Sequence, residues 1–475
     1  MLNKNSPKDT EKLLKDHNQG HILAFWGQMN DSQRQNLLTQ INDMDFRAVD
    51  AWVGSYIKNA ESSATSVDIA PADFYPASPV SAEQQRLYQK ARRLGVELIS
   101  AGKVAAFIVA GGQGTRLGFE GPKGDFPVSP VKNKTLFRIF AEMIAAASKK
   151  YGYICPWYIM TSPLNYDRTK EIFRSNSFYG LDPKNIFIFQ QGTLPNFSFD
   201  GKILMAGKSE IACSPDGHGG SLKALFKCGA IADMKKRGIE FISYFQVDNP
   251  LINIFDPLFI GLHAVSGAEM SSKGLLKTNA KEKVGVFGLV DGKVAVIEYS
   301  DLPDELANKR KPDGSLLFNL GSIAIHIINR IFVEKLNVGG FSLPLHRAIK
   351  KIPCIDQAGK IIEPSEPNGI KLESFVFDAL PLASKSIILE TVRSEEFAPV
   401  KNAAGADSVE TSKAMMIARA AEWLEYAGCT VPKKADGSPD CVIEIAPAFA
   451  LEKDDVKAKR DRIPEIKNND KIYLV

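Results

Sequence analysis

The sequence lacks most of what would mark it as a metal, membrane or nucleic-acid protein. Its six cysteines, at 155, 213, 228, 354, 429 and 441, form no Cys-x-x-Cys pair. That excludes a zinc ribbon or a disulfide framework and leaves buried thiols as the expectation. No His-Glu-x-x-His occurs, and the one histidine pair at helical spacing, His17 and His21, spans Gly20, so no transition-metal site is expected. There is no apolar run of about 18 residues, and Met1-Leu2-Asn3-Lys4-Asn5-Ser6 has no signal-like apolar core, so a cytoplasmic protein with no membrane partner is expected. The net charge is only +4, and the basic clusters Lys235-Lys236-Arg237 and Lys309-Arg310-Lys311 are short. Without a basic stripe interleaved with aromatics, no nucleic-acid partner is expected. Internal repeats and low-complexity segments are missing as well.

What is present is ordinary in bulk and specific in place. Apolar residues make up 44% of the chain and charged residues 24%, the balance of a soluble globular protein. At 475 residues two or three domains are expected. The chain is organised around the run Val104-Ala105-Ala106-Phe107-Ile108-Val109-Ala110, which ends in Gly111-Gly112-Gln113-Gly114-Thr115-Arg116-Leu117-Gly118, with Gly121-Pro122-Lys123-Gly124 downstream. Such a run reads as a buried parallel strand delivering its carboxyl end into a tight loop, where α/β sheets bind ligands. Glycine N–H groups can cradle phosphate oxygens, and Arg116 and Lys123 add full charges. The dinucleotide fingerprint is a poor match, because Leu117 stands where its last glycine belongs. The Walker A loop fails too: between Gly201 and Gly207-Lys208-Ser209 lie five residues, where that motif has four.

Residues 1–95 read as a helical extension. Asp31 is placed to cap a segment carrying Leu37, Leu38, Ile41 and Met44, and Ser81 with Gln84 to form a capping box for a second helix. Over 96–385 strands and helices alternate, as in a doubly wound α/β domain. Trp157 to Thr161, Asn185 to Gln190 and Glu240 to Val247 read as strands. The last runs into Asp248, a carboxylate on the ligand edge of the sheet able to hold Mg²⁺. Asp291-Gly292 reads as the turn of a hairpin that carries Glu298, and Phe375 and Phe377 read as two aromatics on one face of a strand. Residues 386–475 form a smaller unit with a long helix near Ser412 to Tyr426.

Ordered blocks from about residue 100 to 445 carry a resemblance: Gly111 to Gly124, Met160-Thr161-Ser162, Phe189-Gln190-Gln191-Gly192, Pro215-Asp216-Gly217, Val247-Asp248-Asn249, Leu317-Phe318-Asn319 and Glu396 to Ala403. They resemble the UTP:sugar-1-phosphate uridylyltransferases, and within these the eukaryotic-type UDP-N-acetylglucosamine pyrophosphorylases. The resemblance implies a Rossmann-like, GT-A-like nucleotidyltransferase domain at 96–385, between an N-terminal helical region at 1–95 and a C-terminal α+β domain at 386–475. It implies UTP and a sugar 1-phosphate as substrates, a UDP-sugar and pyrophosphate as products, and Mg²⁺ as cofactor. No oligomeric state follows from it.

Carried over residue by residue, the resemblance gives Arg116 and the loop of Gly111, Gly112, Gly114 and Thr115 to the UTP phosphates, and Lys123 to the α-phosphoryl group. Gln191, with the backbone at Pro215 and Gly217, would read uracil. Asp248 would hold the metal, and Lys401 would neutralise the sugar phosphate. Gly285, Glu298, Asn319 and Ser322 would face the sugar, with Phe375 and Phe377 near its 2-substituent. Two positions depart from the family pattern, His218 and Ser322, each standing where Asn is usual. N-acetylglucosamine 1-phosphate remains the first choice of sugar, and a UDP-glucose, UDP-galactose or broad UDP-sugar pyrophosphorylase is the alternative.

Overall fold

Val, Ala, Phe and Ile without interruption from Val104 build a strand buried on both faces, and the rest of one large sheet is laid out from it. The computed structural model describes residues 7–58, 68–341 and 343–475. Within them the sheet has ten strands: β1 (Ile69–Pro71), β2 (Val104–Val109), β3 (Trp157–Thr161), β4 (Ile186–Gln190), β5 (Phe241–Gln246), β6 (Met270–Leu276), β7 (Val286–Val290), β8 (Lys293–Ile297), β9 (Leu320–Asn329) and β10 (Ser386–Glu390). The main path runs β1-β7-β9-β5-β2-β3-β4, with β8 on β7 and β6 between β9 and β10.

Strands β5, β2, β3 and β4 are parallel. The chain winds outward from β2 through β3 to β4 and returns to β5 on the other side of β2, so the switch point lies between β2 and β5. Helices cover the sheet. Leu136–Tyr151 starts at a Thr135 cap and buries Phe137 and Phe140; Phe137 packs edge-on to Phe173 at 5.1 Å, and Phe140 edge-on to Phe245 at 5.3 Å. Fully burying each ring is worth roughly 1.5–3 kcal/mol. The antiparallel strand β9 follows β5 only from His326 to Asn329. Its register against β6 slips between Ser272 and Gly274, and Ala324 takes φ +55°. A non-glycine residue there marks a bulge, which turns β9 away from β5 at its ligand edge.

Contacts group the chain into two compact units: Met1–Val67, Gly192–Gly220 and Leu343–Val376 form one, and Asp68–Gln191, Ser221–Ser342 and Phe377–Val475 form the other. This cuts across the three consecutive segments expected from the sequence. The smaller unit has its own core, with Leu14, Ile22, Leu37, Phe46 and Val49 from the N-terminal helices against Phe197, Ile203, Ile370 and Leu372. Buried Gln19 zips the two parts together, donating to the Gly201 carbonyl and accepting from the Ile203 N–H. The 386–475 segment opens with β10, which pairs in parallel with β6. Beyond it the helix Val409–Tyr426 and the parallel pair Val442–Ile445 and Lys471–Leu474 share a core around Trp423, Phe449 and Leu474.

Several local expectations are corrected. The helix Asp31–Asn42 is capped by Asn30, not Asp31, in a full box with Gln33. Ser81 caps Ala82–Ser100 as expected, but Gln84 closes on the Val80 N–H one residue further back. The strand expected to carry Phe375 and Phe377 stops at Glu373, and Phe377 lies in the 3₁₀ helix Val376–Leu382. Cys213 is exposed, whereas Cys155, Cys354 and Cys441 are buried. His17 is taken up by Asp50 and His21 by the Ile203 carbonyl. No cluster that could hold a metal through three or more His, Cys, Asp or Glu occurs among the described residues.

Candidate functional site

Immediately after β2 the chain turns through two one-turn helices, Thr115–Leu117 and Lys123–Asp125. Gly114 N–H donates to the Gly121 carbonyl and Lys123 N–H to the Gly112 carbonyl, at 2.9 and 3.0 Å. These bonds close the loop on itself and bring Lys123 back beside the glycines. At Gly111 the absence of a side chain is required: a Cβ would stand 2.4 Å from Gln191 Oε1 and 3.2 Å from the Ser162 nitrogen. Gln191 therefore lies over the loop, its own N–H donating to Thr161 at the end of β3. Thr115 and Arg116 are exposed, and Lys123 is half-buried. Neither Arg116 nor Lys123 meets a carboxylate among the described residues, so both charges remain available to an anion.

Asp248 follows β5 across the switch point. Val109 pairs with Gln246, and Val247 N–H donates to the Val109 carbonyl, so Asp248 stands beside the glycine loop. Its carbonyl accepts from Val400 N–H at 2.8 Å, and Ala403 N–H donates to the Arg116 carbonyl at 3.1 Å. Arg116, Asp248 and Lys401 are thus carried on three segments laced together by backbone bonds. Lys401 Nζ stands 3.6 Å from Asp407 and 5.8 Å over the Phe397 ring. That pair is part-exposed and weak.

Behind this lacing lies a buried set of charges whose pairing no motif in the sequence shows. Lys273 is held between Asp256 and Glu396. Glu396 also accepts from Thr391 Oγ1 and Asn253 N–H, and its carbonyl accepts from Asn249 Nδ2. Burial pushes the lysine pKa down, but the two carboxylates reverse this and hold it above its ordinary value. Asn249 also accepts from Ala398 N–H, so the segment leading to Lys401 is fastened to the residue next to Asp248.

The sugar-facing residues expected in the larger unit come together in part. A Cβ on Gly285 would lie 3.3 Å from Glu298 Oε1, and the Gly285 carbonyl accepts from Ser322 N–H at 2.8 Å. The Ser322 hydroxyl oxygen is buried. Asn319 stands just before β9, its carbonyl taken by Lys277 N–H. Phe377 is buried in its 3₁₀ helix.

Pro215, Gly217, His218 and Phe375 belong to the smaller unit. Gly217 adopts φ +83°, and a Cβ there would meet the Ser374 carbonyl at 2.3 Å, so only glycine fits. Ser374 N–H and Oγ both bond the Asp216 carbonyl. The Phe375 ring is stacked between His346 at 4.2 Å and His218 at 5.1 Å. His218 Nδ1 accepts from Val376 N–H, which selects the neutral tautomer with its proton on Nε2.

The pattern that defines the family described as UTP--glucose-1-phosphate uridylyltransferase matches residues 53–475. A Homo sapiens protein named UDP-N-acetylhexosamine pyrophosphorylase-like protein 1 is 36% identical over 472 residues, covering 93% of this chain and 92% of its own. The UDP-N-acetylglucosamine pyrophosphorylase of Saccharomyces cerevisiae is 36% identical over 443 residues, covering 89% and 92%. Among solved structures, the uridine diphosphate N-acetylglucosamine pyrophosphorylase from Trypanosoma brucei, in complex with inhibitor, is similar with a TM-score of 0.81 at 26% identity, covering 100% of this chain and 99% of that one.

Proposed function

Because the chain belongs to the UTP--glucose-1-phosphate uridylyltransferase family, we propose that it makes a UDP-sugar and pyrophosphate from UTP and a sugar 1-phosphate, with N-acetylglucosamine 1-phosphate as its first substrate. A phosphate oxygen of the sugar attacks the α-phosphorus of UTP in line, the bond to the bridging oxygen breaks, and pyrophosphate leaves with the electron pair. No nucleophilic side chain is needed; the work is bringing two polyanions together and neutralising charge as it develops. The observation that supports this most is the loop from Gly111 to Lys123 at the switch point, laced to the segments of Asp248 and Lys401.

In this reading Arg116 and the N–H groups around Gly111, Gly112, Gly114 and Thr115 hold the phosphates, Lys123 meets the α-phosphoryl group, and Lys401 takes the sugar phosphate. Gln191 reads the uracil edge. Gly285, Glu298, Asn319, Ser322 and Phe377 face the sugar. Asp248 suits Mg²⁺: it is a hard oxygen ligand at the ligand edge, with no cation paired to it among the described residues. When bound there, Mg²⁺ would supply charge neutralisation to the phosphates.

Pyrophosphate release from UTP, CTP and ATP, with and without chelator, tests this reading. A buried polar group left unmatched by the wrong base costs about 1–3 kcal/mol, so UTP is expected to lead by roughly tenfold to a hundredfold. Chelator abolishes turnover and Mg²⁺ restores it, and Asp248→Asn needs far more Mg²⁺. Equal turnover of the three nucleotides overturns the assignment of Gln191, and full activity in excess chelator overturns that of Asp248.

A further inference from the structure

Asn165 stands at the N-cap of the helix Tyr166–Ser175, where an Asn side chain ordinarily accepts from the first-turn N–H groups, yet it makes no such bond. Its side chain is turned back instead onto the ends of β2 and β3. Oδ1 accepts from Ser162 N–H at 2.9 Å and from Ser162 Oγ at 3.1 Å; Nδ2 donates to the carbonyls of Ala110 at 3.1 Å and Gly112 at 3.4 Å. All four hydrogen-bonding positions of the amide are filled. The orientation is fixed, because a backbone N–H faces one end and two carbonyls the other. Asn165 is 1% exposed. The Gly112 carbonyl it holds is the same one that accepts from Lys123 N–H.

We propose that Asn165 is the positioning residue of the glycine loop: by holding the Ala110 and Gly112 carbonyls it sets the direction of the loop's N–H groups and the place of Lys123, and so determines the affinity for the UTP triphosphate. This rests on the uridylyltransferase reading for its kinetic consequence, though not for its effect on the loop. The side chain touches no substrate. It acts through two carbonyls, one residue and one hydrogen bond away from the charges it places.

Asn165→Asp keeps the acceptor end and replaces the donor end with a carboxylate that faces two carbonyl oxygens. Ile172→Ala, which removes a buried side chain from the same helix and leaves the four Asn165 hydrogen bonds in place, serves as the comparison for lost stability. Amide hydrogen exchange, UTP titration calorimetry and steady-state kinetics are read on wild type and both variants. In Asn165→Asp, exchange at Gly112 to Lys123 is expected to quicken and UTP affinity and kcat/KM to fall by about tenfold or more, with KM for the sugar 1-phosphate changed by less than about threefold. Lowering the pH should return part of the loss, because a protonated carboxyl can again donate to a carbonyl. Ile172→Ala should lower Tm and leave loop exchange and UTP affinity as in wild type.

Loop exchange unchanged in Asn165→Asp, or changed equally in Ile172→Ala, overturns the inference. So does an equal loss of affinity for UTP and sugar 1-phosphate. Wild-type protein that releases no pyrophosphate overturns the uridylyltransferase reading instead, and loop exchange still decides the role of Asn165.

Discussion

Lys123 shows how a single residue's task follows from where its backbone hangs. Its N–H is tied to Gly112, so its ammonium group is carried by the same loop that would hold the triphosphate. A charge met chiefly as pyrophosphate departs is felt in kcat more than in KM. Lys123→Ala is therefore expected to lower kcat by about a hundredfold or more, with a smaller change in KM, in steady-state assays. A variant with wild-type kcat would remove Lys123 from the chemistry. Arg116, Lys123, Asp248 and Lys401 could be singled out as candidates in the sequence because each sits at a set offset from a glycine loop or within a short ordered block, at the places where an α/β sheet meets its ligand. Asn165 could not: an Asn before a helix reads as a cap, and its partner Gly112 lies 53 residues earlier. The pairing of Glu396 with Lys273 was hidden for a similar reason, although Glu396 opens one of the ordered blocks. In Ser394-Glu395-Glu396 it looks solvated, and Lys273 reaches it only across 123 residues of chain.

Among elements, those with local signatures were legible and those decided by partners were not. The turn at Asp291 and Gly292, with φ of +50° and +75°, is the hairpin that an Asp-Gly dipeptide announces. Strands β2, β3 and β5 formed where continuous apolar runs placed them. The bulge at Ala324 had no signal, since it lies where β9 passes from pairing with β5 at His326–Asn329 to pairing with β7 at Gly321. The strand expected through Phe375 and Phe377 ended early because the Ser374 N–H and hydroxyl go to the Asp216 carbonyl, ahead of the 3₁₀ helix at Val376.

The helix Pro257–Ser266 carries a pH dependence of its own. Its His263 is buried between Ser271 and Asn329, accepting at Nδ1 from the Ser271 hydroxyl and donating from Nε2 to Asn329 Oδ1. Burial lowers its pKa from 6.5 to about 4. The folded state therefore binds fewer protons than the unfolded state between these values. The contribution to stability is complete above pH 6.5 and is lost as pH falls towards 4, about 3 kcal/mol in all. Urea denaturation from pH 7 to 4 checks this: wild type should lose more stability across the window than His263→Gln. Parallel losses would show that His263 titrates alike in both states.

For the whole molecule, the order of segments along the chain concealed which of them fold together. The N-terminal helices, read as a helical extension, share a core with Phe197, Ile203 and Ile370. Helical periodicity reports that a face will be buried and is silent about what buries it. The family, in contrast, was legible, since its blocks are local and fall in order. The central claim is that UTP and a sugar 1-phosphate are joined with loss of pyrophosphate, and phosphorus NMR of the wild-type protein with Mg²⁺, UTP and N-acetylglucosamine 1-phosphate tests it most directly. The account predicts that both substrates are consumed, with UDP-N-acetylglucosamine and pyrophosphate appearing in equal amounts and glucose and galactose 1-phosphates reacting more slowly. Release of orthophosphate from UTP, or no consumption of any of the three sugar phosphates, would contradict it.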